Sequence, residues 1–116
     1  TFIEDANRVA VLGTPGGSRI ISMVLLAVLD FAEGKGPESW VWLPRFHHQY
    51  IPDRIQYEKG GMTNDEIAGL TKLGHKLNEA RYRYGNMQGV QLNKNTQQLS
   101  SVADPRGEGF ALVKEY

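Results

Sequence analysis

The residues best suited to chemistry occupy positions 13–18, which read GTPGGS and separate two apolar segments. Residues 9–12 precede them and are apolar on both faces, which predicts a strand covered on each side. Residues 20–31 follow them and predict a helix with scarcely any polar stripe. A glycine-rich turn at the start of a helix exposes backbone N–H groups, and the helix dipole adds positive potential there. This junction therefore favours the binding of negative charge.

Two common phosphate-binding loops do not fit these residues. The phosphate loop G-x-x-x-x-G-K-[ST] needs a lysine directly before Ser18, which is absent, and Gly13, Gly16 and Gly17 do not supply the dinucleotide pattern G-x-G-x-x-G. Two interpretations stay open. In one, the glycines only relieve backbone strain in a tight turn. In the other, two backbone N–H groups form an oxyanion hole, which stabilises the negative charge of a tetrahedral intermediate.

The other polar groups predict structural roles. His47 and His48 would point to opposite sides of an extended segment, so a metal site that included His75 would need chance convergence, and no metal site is predicted. Residues 81–84 alternate arginine and tyrosine, as some nucleic-acid surfaces do, but the prediction is an edge strand with charged outward residues. Arg106 lies in an Asp-Pro-Arg turn and is expected to brace the fold through a carboxylate or a carbonyl oxygen.

The composition is typical of an ordinary globular chain. The 116 residues include 13 basic and 13 acidic side chains, so no net charge indicates a nucleic-acid partner. The absence of cysteine excludes a disulfide scaffold and a thiolate metal site. The longest apolar run, residues 20–31, is too short to predict a membrane span, which needs about 20 residues. No cofactor is predicted.

Apolar periodicity and turn residues predict an α+β arrangement, in which strands are followed by helices and then by strands. Residues 1–3 and 9–12 predict a hairpin, and Ser18 is expected to cap a helix over residues 20–31 that is buried nearly all round.

A second helix is marked by capping residues. Thr63 and Glu66 have the spacing of a capping box, and Gly74 is expected to end this helix. The remaining predicted elements are a short helix over residues 37–43 and strands over residues 54–58, 87–92, 98–103 and 110–113.

Four motifs together carry a family resemblance. Residues 12–20 (LGTPGGSRI), 44–49 (PRFHHQ), 85–88 (GNMQ) and 104–106 (DPR) resemble, in that order, the C-terminal part of the small subunit of γ-glutamyltransferases, also called γ-glutamyltranspeptidases. The resemblance covers nearly the whole chain. It implies an N-terminal-nucleophile hydrolase fold, the αββα sandwich of two stacked sheets between helical layers. It also implies an enzyme that cleaves itself to expose a threonine, which passes the γ-glutamyl group of glutathione or a related amide to water or an amino acid.

The resemblance assigns the glycine pair. Gly16 and Gly17 match the residues whose backbone amides form the oxyanion hole, a catalytic and substrate-binding role that needs neither metal nor cofactor. The family's nucleophilic threonine lies tens of residues before this pair, whereas only 15 residues precede Gly16, so Thr1 is not assigned that role. Residues 1–116 are therefore expected to be a C-terminal portion of a small subunit, a single domain or a fragment, and to be inactive alone.

The implied partners are the remainder of the small subunit, the large subunit, and glutathione or another γ-glutamyl substrate. The resemblance suggests a periplasmic or secreted enzyme. Two alternatives stay open: a fragment of a related glutaryl-type (cephalosporin) acylase, which would share the loop, and a non-catalytic module of the same fold.

Overall fold

The computed structural model describes residues 1–115, which divide into two compact units. Unit 1 consists of Thr1–Trp42 with the described residues from Gly85 onward, and unit 2 consists of Leu43–Tyr84. The expectation of a single domain or a fragment stays a prediction. Within residues 1–115, no helix combines the length and the apolar character needed to span a membrane.

The elements alternate between short strands and helices. In chain order they are β1 (Phe2–Glu4), β2 (Arg8–Gly13), a 3₁₀ helix (Gly17–Arg19), α1 (Ile20–Ala32), α2 (Pro37–Trp42), β3 (Phe46–Gln49), β4 (Arg54–Tyr57), α3 (Asn64–Lys72), β5 (Leu77–Glu79), β6 (Gln88–Asn93) and β7 (Leu99–Ala103).

The sheet of unit 1 has the strand order β1-β2-β6-β7, and all of its pairs are antiparallel. The predicted hairpin of β1 and β2 and the predicted position of β2 inside a sheet are confirmed. The register pairs Gly13 with Gln88, so the end of β2 lies opposite the start of β6. This pairing brings the glycine loop next to the segment that enters β6, which is distant from it in the sequence.

The core of unit 1 is formed by one face of α1, by α2 and by β2. Met23, Ala27 and Phe31 recur every fourth position on α1 and are buried, because positions four apart lie on one face of a helix. The Phe31 ring packs against Trp40 of α2, with 5.9 Å between ring centroids. Other buried apolar residues of this unit are Ala10, Leu12, Val41 and Met87.

Arg8 fastens the first hairpin to the end of α1. Its guanidinium donates to Phe31 O at 2.7 Å and lies 4.0 Å from the centre of the Phe31 ring. It also pairs with the Asp5 carboxylate at 2.9 Å. The backbone N–H of Asn7 and then the hydrogen bonds from Arg8 hold the pKa of Asp5 below its ordinary value.

Unit 2 contains a second sheet and the third helix. Strand β4 pairs antiparallel with β3 and parallel with β5. The capping box of α3 is confirmed, because Thr63 Oγ1 accepts from Glu66 N and the Glu66 carboxylate accepts from Thr63 N. Gly74 has a φ of 95°, in agreement with its predicted role as a left-handed stop.

The start of α1 and its burial differ from the sequence prediction. Ser18 does not cap α1, because it lies within the 3₁₀ helix, and the N-cap residue is Arg19. The helix is also not buried all round, since Ile21, Leu25 and Leu29 are 78%, 54% and 52% exposed. A similar difference holds for β2, where Leu12 is buried but Val11 on the other face is exposed.

Four extended segments differ from the sequence prediction. Residues 81–84 and 110–113 form no strand, whereas residues 46–49 form β3 and residues 77–79 form β5. Alternating or apolar residues predict only that a segment could be extended, and a strand also needs a partner at hydrogen-bonding distance. The motif at residues 46–49 has that partner in β4.

The exposed face of α1 generates a prediction about the 116-residue chain. We expect it to bind a hydrophobic dye and to self-associate, because Ile21, Leu25 and Leu29 form a continuous apolar stripe on one helix face. A double change, Leu25→Gln with Leu29→Gln, should lower dye fluorescence while changing the melting temperature little, since both side chains are more than half exposed. A sharply melting monomer that binds no dye would contradict this expectation.

Candidate functional site

The glycine loop connects β2 to the helices that follow it. Strand β2 ends at Gly13, residues 14–16 form the loop, and the 3₁₀ helix begins at Gly17. Gly16 has φ 151° and ψ 14°, and Gly17 has φ 60°. Residues with a Cβ rarely adopt these φ values, so the loop conformation needs glycine at both positions.

A close packing contact adds a second constraint at Gly16. A Cβ at that position would lie 2.5 Å from the Met23 Cε atom, whereas a Cβ at Gly17 would meet no atom within 4 Å. Met23 is buried on the inner face of α1. The first glycine is therefore favoured by its backbone conformation, and a Cβ there would also make the buried Met23 side chain move.

The backbone N–H groups of the pair are available to a ligand. Gly16 O accepts from Arg19 N at 3.2 Å, and Gly17 O accepts from Ile20 N. Among residues 1–115, no acceptor lies within hydrogen-bonding reach of the N–H of Gly16 or Gly17, and both residues are exposed. The first turn of α1 carries no acidic residue, so no carboxylate there offsets the positive potential of the helix N-terminus.

Thr14 connects this loop to the segment before β6. Its hydroxyl donates to Pro15 O at 2.9 Å and accepts from Asn86 N at 3.0 Å. Sequence reasoning missed this role. The only signal was that residues 85–88 form one of the four motifs, and a motif does not reveal which residue 72 positions away it contacts.

The residues around Asp104 hold the same segment from the other side. Asp104 Oδ2 accepts from Met87 N at 2.9 Å, and Asp104 N donates to Met87 O at 2.9 Å. The predicted bracing role of Arg106 is confirmed, since its guanidinium donates to Asp104 Oδ1 at 3.1 Å and to Val41 O in α2. Asp104 is 1% exposed, and this buried charge is compensated by the guanidinium and by backbone donors.

Three of the four sequence motifs therefore meet in unit 1: the glycine loop, residues 85–88 and residues 104–106. The fourth motif, residues 44–49, lies in unit 2. There Arg45 is buried, its N–H donates to Glu58 Oε2 at 3.0 Å, and its guanidinium donates to Tyr84 O at 2.7 Å. Glu58 Oε1 also accepts from Tyr84 N at 3.0 Å, so this motif supports the unit through a buried polar network.

The histidines take hydrogen-bonding positions on two sides of β3. His47 is buried and its Nε2 lies 2.8 Å from Gln49 Oε1, whereas the exposed His48 Nε2 lies 2.9 Å from Asp53 Oδ1. The His75 ring packs edge-on against His48 at 6.1 Å. Over residues 1–115, no group of three His, Asp or Glu side chains has an arrangement that could hold a metal ion.

The family is decided by comparison over nearly the full sequence. The family model described as gamma-glutamyltranspeptidase matches residues 1–113. The chain belongs to the γ-glutamyltranspeptidase family. Its resemblance to that family, its α+β class and its membership of the N-terminal-nucleophile hydrolase fold are thereby confirmed.

Individual relatives agree with the family match. The glutathione hydrolase proenzyme of Escherichia coli (strain K12) is 36% identical over 105 residues, which are 90% of this chain and 18% of that protein. The glutathione hydrolase proenzyme of Pseudomonas aeruginosa is 32% identical over 113 residues, 95% of this chain and 20% of that protein. A solved γ-glutamyltranspeptidase of Helicobacter pylori is 33% identical, with a TM-score of 0.82 over 92% of this chain and 59% of the solved chain.

The chain thus spans about a fifth of the length of the curated relatives it matches. In this γ-glutamyltranspeptidase chain, the described residues contain the glycine loop and the contacts that hold it.

The different surroundings of the two glycines generate a stability prediction. We expect Gly17→Ala to lower the free energy of unfolding by about 1–2 kcal/mol, the cost of a left-handed residue with a Cβ. Gly16→Ala should cost about 1–3 kcal/mol more, because its Cβ would also overlap Met23. Urea unfolding of the two variants side by side measures the difference. Equal losses would show that Met23 moves aside at no cost.

Proposed function

We propose that this chain is part of a γ-glutamyltransferase and that the backbone N–H groups of Gly16 and Gly17 form its oxyanion hole. The observation that carries the proposal is the pair of exposed N–H groups without an acceptor in residues 1–115, on a loop fixed at the N-terminal side of α1. The family membership supports it, because the resemblance assigns the same two glycines.

The chemistry of such a pair follows from the partial positive charge of its two N–H hydrogens and from how firmly the loop holds them. A threonine oxygen attacks the γ-carbonyl carbon while its proton passes to the free amine of the same threonine. A new C–O bond forms, and the π electron pair of the C=O bond moves to its oxygen. When that pair returns, the C–N bond of the donor amide breaks and the leaving amine takes up the proton. Two N–H groups that already point at this oxygen stabilise the developing charge without reorganisation. The loop is tied to the fold at two points, since Gly16 O accepts from Arg19 N and the Thr14 hydroxyl accepts from Asn86 N.

The remaining parts of the reaction lie outside this chain in our proposal. The nucleophilic threonine and the groups that hold the α-amino and α-carboxylate of the glutamyl moiety come from the rest of the small subunit and from the large subunit. Glutathione or a related γ-glutamyl amide is the donor, which agrees with the names of the glutathione hydrolase proenzymes that the chain resembles. Water or an amino acid is the acceptor.

The decisive test removes one N–H and keeps the length of the backbone and the absence of a side chain. Replacing Gly17 by proline would remove it, but proline fixes φ near −65°, whereas Gly17 has φ 60°. We therefore specify an amide-to-ester change, with glycolic acid in place of Gly17. The change is made in the complete γ-glutamyltransferase of which we propose this chain is a part, called the parent below. We expect kcat for a chromogenic γ-glutamyl anilide to fall by about 10²–10³-fold with little change in KM.

The matched control is the same ester at Gly36. This residue is exposed, a Cβ there would meet no atom within 4 Å, and its N–H has no acceptor among residues 1–115. The Gly36 ester should keep the parent's kcat. If the Gly17 ester also keeps the parent's kcat, in protein that has folded and completed its self-cleavage, Gly17 is only a turn residue and the oxyanion assignment fails.

A second prediction concerns the 116-residue chain alone. We expect it to hydrolyse no γ-glutamyl anilide, because its position does not assign Thr1 as the nucleophile and, in our proposal, the glutamyl-binding groups come from the rest of the enzyme. The measurement is anilide release by the purified chain, beside the intact parent at equal molar concentration. Turnover by the chain at the parent's rate would overturn the division of roles proposed above.

A further inference from the structure

The Thr14 hydroxyl acts both as a donor and as an acceptor within unit 1. It donates to Pro15 O at 2.9 Å and accepts from Asn86 N at 3.0 Å. Pro15 has no N–H with which to anchor the loop. Among residues 1–115, the bond from Asn86 to Thr14 is the one hydrogen bond that ties positions 14–16 to any residue beyond Arg19.

The donation to Pro15 O bears directly on the glycine pair. The carbonyl of Pro15 and the N–H of Gly16 belong to one planar peptide unit, in which they point in opposite directions. A hydrogen bond that holds Pro15 O therefore also sets the direction of the Gly16 N–H. The side chain of Thr14 orients one of the two donors without touching a substrate.

The acceptance from Asn86 N connects this peptide unit to a fixed part of the fold. Met87 is buried and both of its backbone polar groups bond to Asp104, whose carboxylate is in turn held by Arg106. The Asn86 side chain packs against Gly107, where a Cβ would overlap Asn86 Oδ1. The partner of Thr14 therefore has little freedom to move.

We propose that Thr14 is a positioning residue for the oxyanion hole. The inference rests on the function proposed above and adds a residue to it. A catalytic donor must be held to within a fraction of an ångström, and misplacement by about 1 Å costs about 10²-fold in rate. The Thr14 hydroxyl supplies this precision by linking the loop to Asn86, in the segment before β6.

The test compares side chains that keep or lose the hydroxyl in the intact parent. Thr14→Val keeps the shape and removes the hydroxyl, and we expect kcat for a γ-glutamyl anilide to fall by about 10- to 100-fold with KM near that of the parent. Thr14→Ser restores the hydroxyl and should recover most of the lost kcat. A merely structural role would lower the amount of folded enzyme, not its kcat per active site.

The matched control is Thr96→Val. The Thr96 hydroxyl also accepts from a backbone N–H, that of Gln98 at 3.4 Å, but it lies in the turn at the other end of β6. This variant should keep the parent's kcat. If Thr14→Val does not fold, Thr14→Ala takes its place under the same criteria.

A second readout separates this inference from the function it rests on. Amide hydrogen exchange at Asn86 should be faster in Thr14→Val than in the parent and Thr14→Ser, whatever the protein's activity. A wild-type parent without γ-glutamyl turnover would overturn the proposed function. An unchanged kcat in Thr14→Val, an equal loss in Thr14→Val and Thr14→Ser, or unchanged exchange at Asn86 would each overturn the role of Thr14.

Discussion

The buried carboxylate of Asp104 is the constraint on which the order of unit 1 depends. A charge that is 1% exposed must be compensated within the protein, and three donors do so: Met87 N, Arg106 N and the Arg106 guanidinium. These donors belong to the start of β6 and to the turn after β7, and the same guanidinium reaches Val41 O in α2. One compensated charge thus fixes three segments that are distant in sequence. Thr14 extends this fixed region to the glycine loop through Asn86.

Local features of the sequence were sufficient for the parts of the fold that depend on neighbouring residues. The capping box at Thr63 and the left-handed stop at Gly74 act over a few positions, and the glycine pattern at positions 13–18 marked the loop. The spacing of polar and apolar residues could not show that residues 81–84 lack a strand partner, because pairing depends on chain contacts that a local pattern does not contain.

The contacts that hold the candidate site could not be predicted from local sequence patterns either, because they join residues that are distant in the sequence. Thr14 and Asn86 are 72 positions apart, and Met87 and Asp104 are 17 apart. The resemblance identified the segments but not their contacts. In unit 2, residues 44–49 form one of the four motifs, yet Arg45 and His47 are buried and bonded to neighbouring groups. A motif can identify a family through residues that maintain a fold.

The segments at the two ends of β6 differ in how well they tolerate inserted residues. At the start of β6, Gly13 pairs with Gln88, while Thr14, the next residue, bonds to Asn86, two positions before Gln88. The strand register and the side-chain bond therefore both depend on fixed, short spacings in the two segments. A residue inserted there must break either the strand register or the bond between Thr14 and Asn86. At the other end, residues 95–98 are exposed in the turn between adjacent strands, and the turn can lengthen there without disturbing the pairing of β6 with β7. Variation in loop length among proteins with this arrangement is therefore expected at the turn and not at the glycine loop.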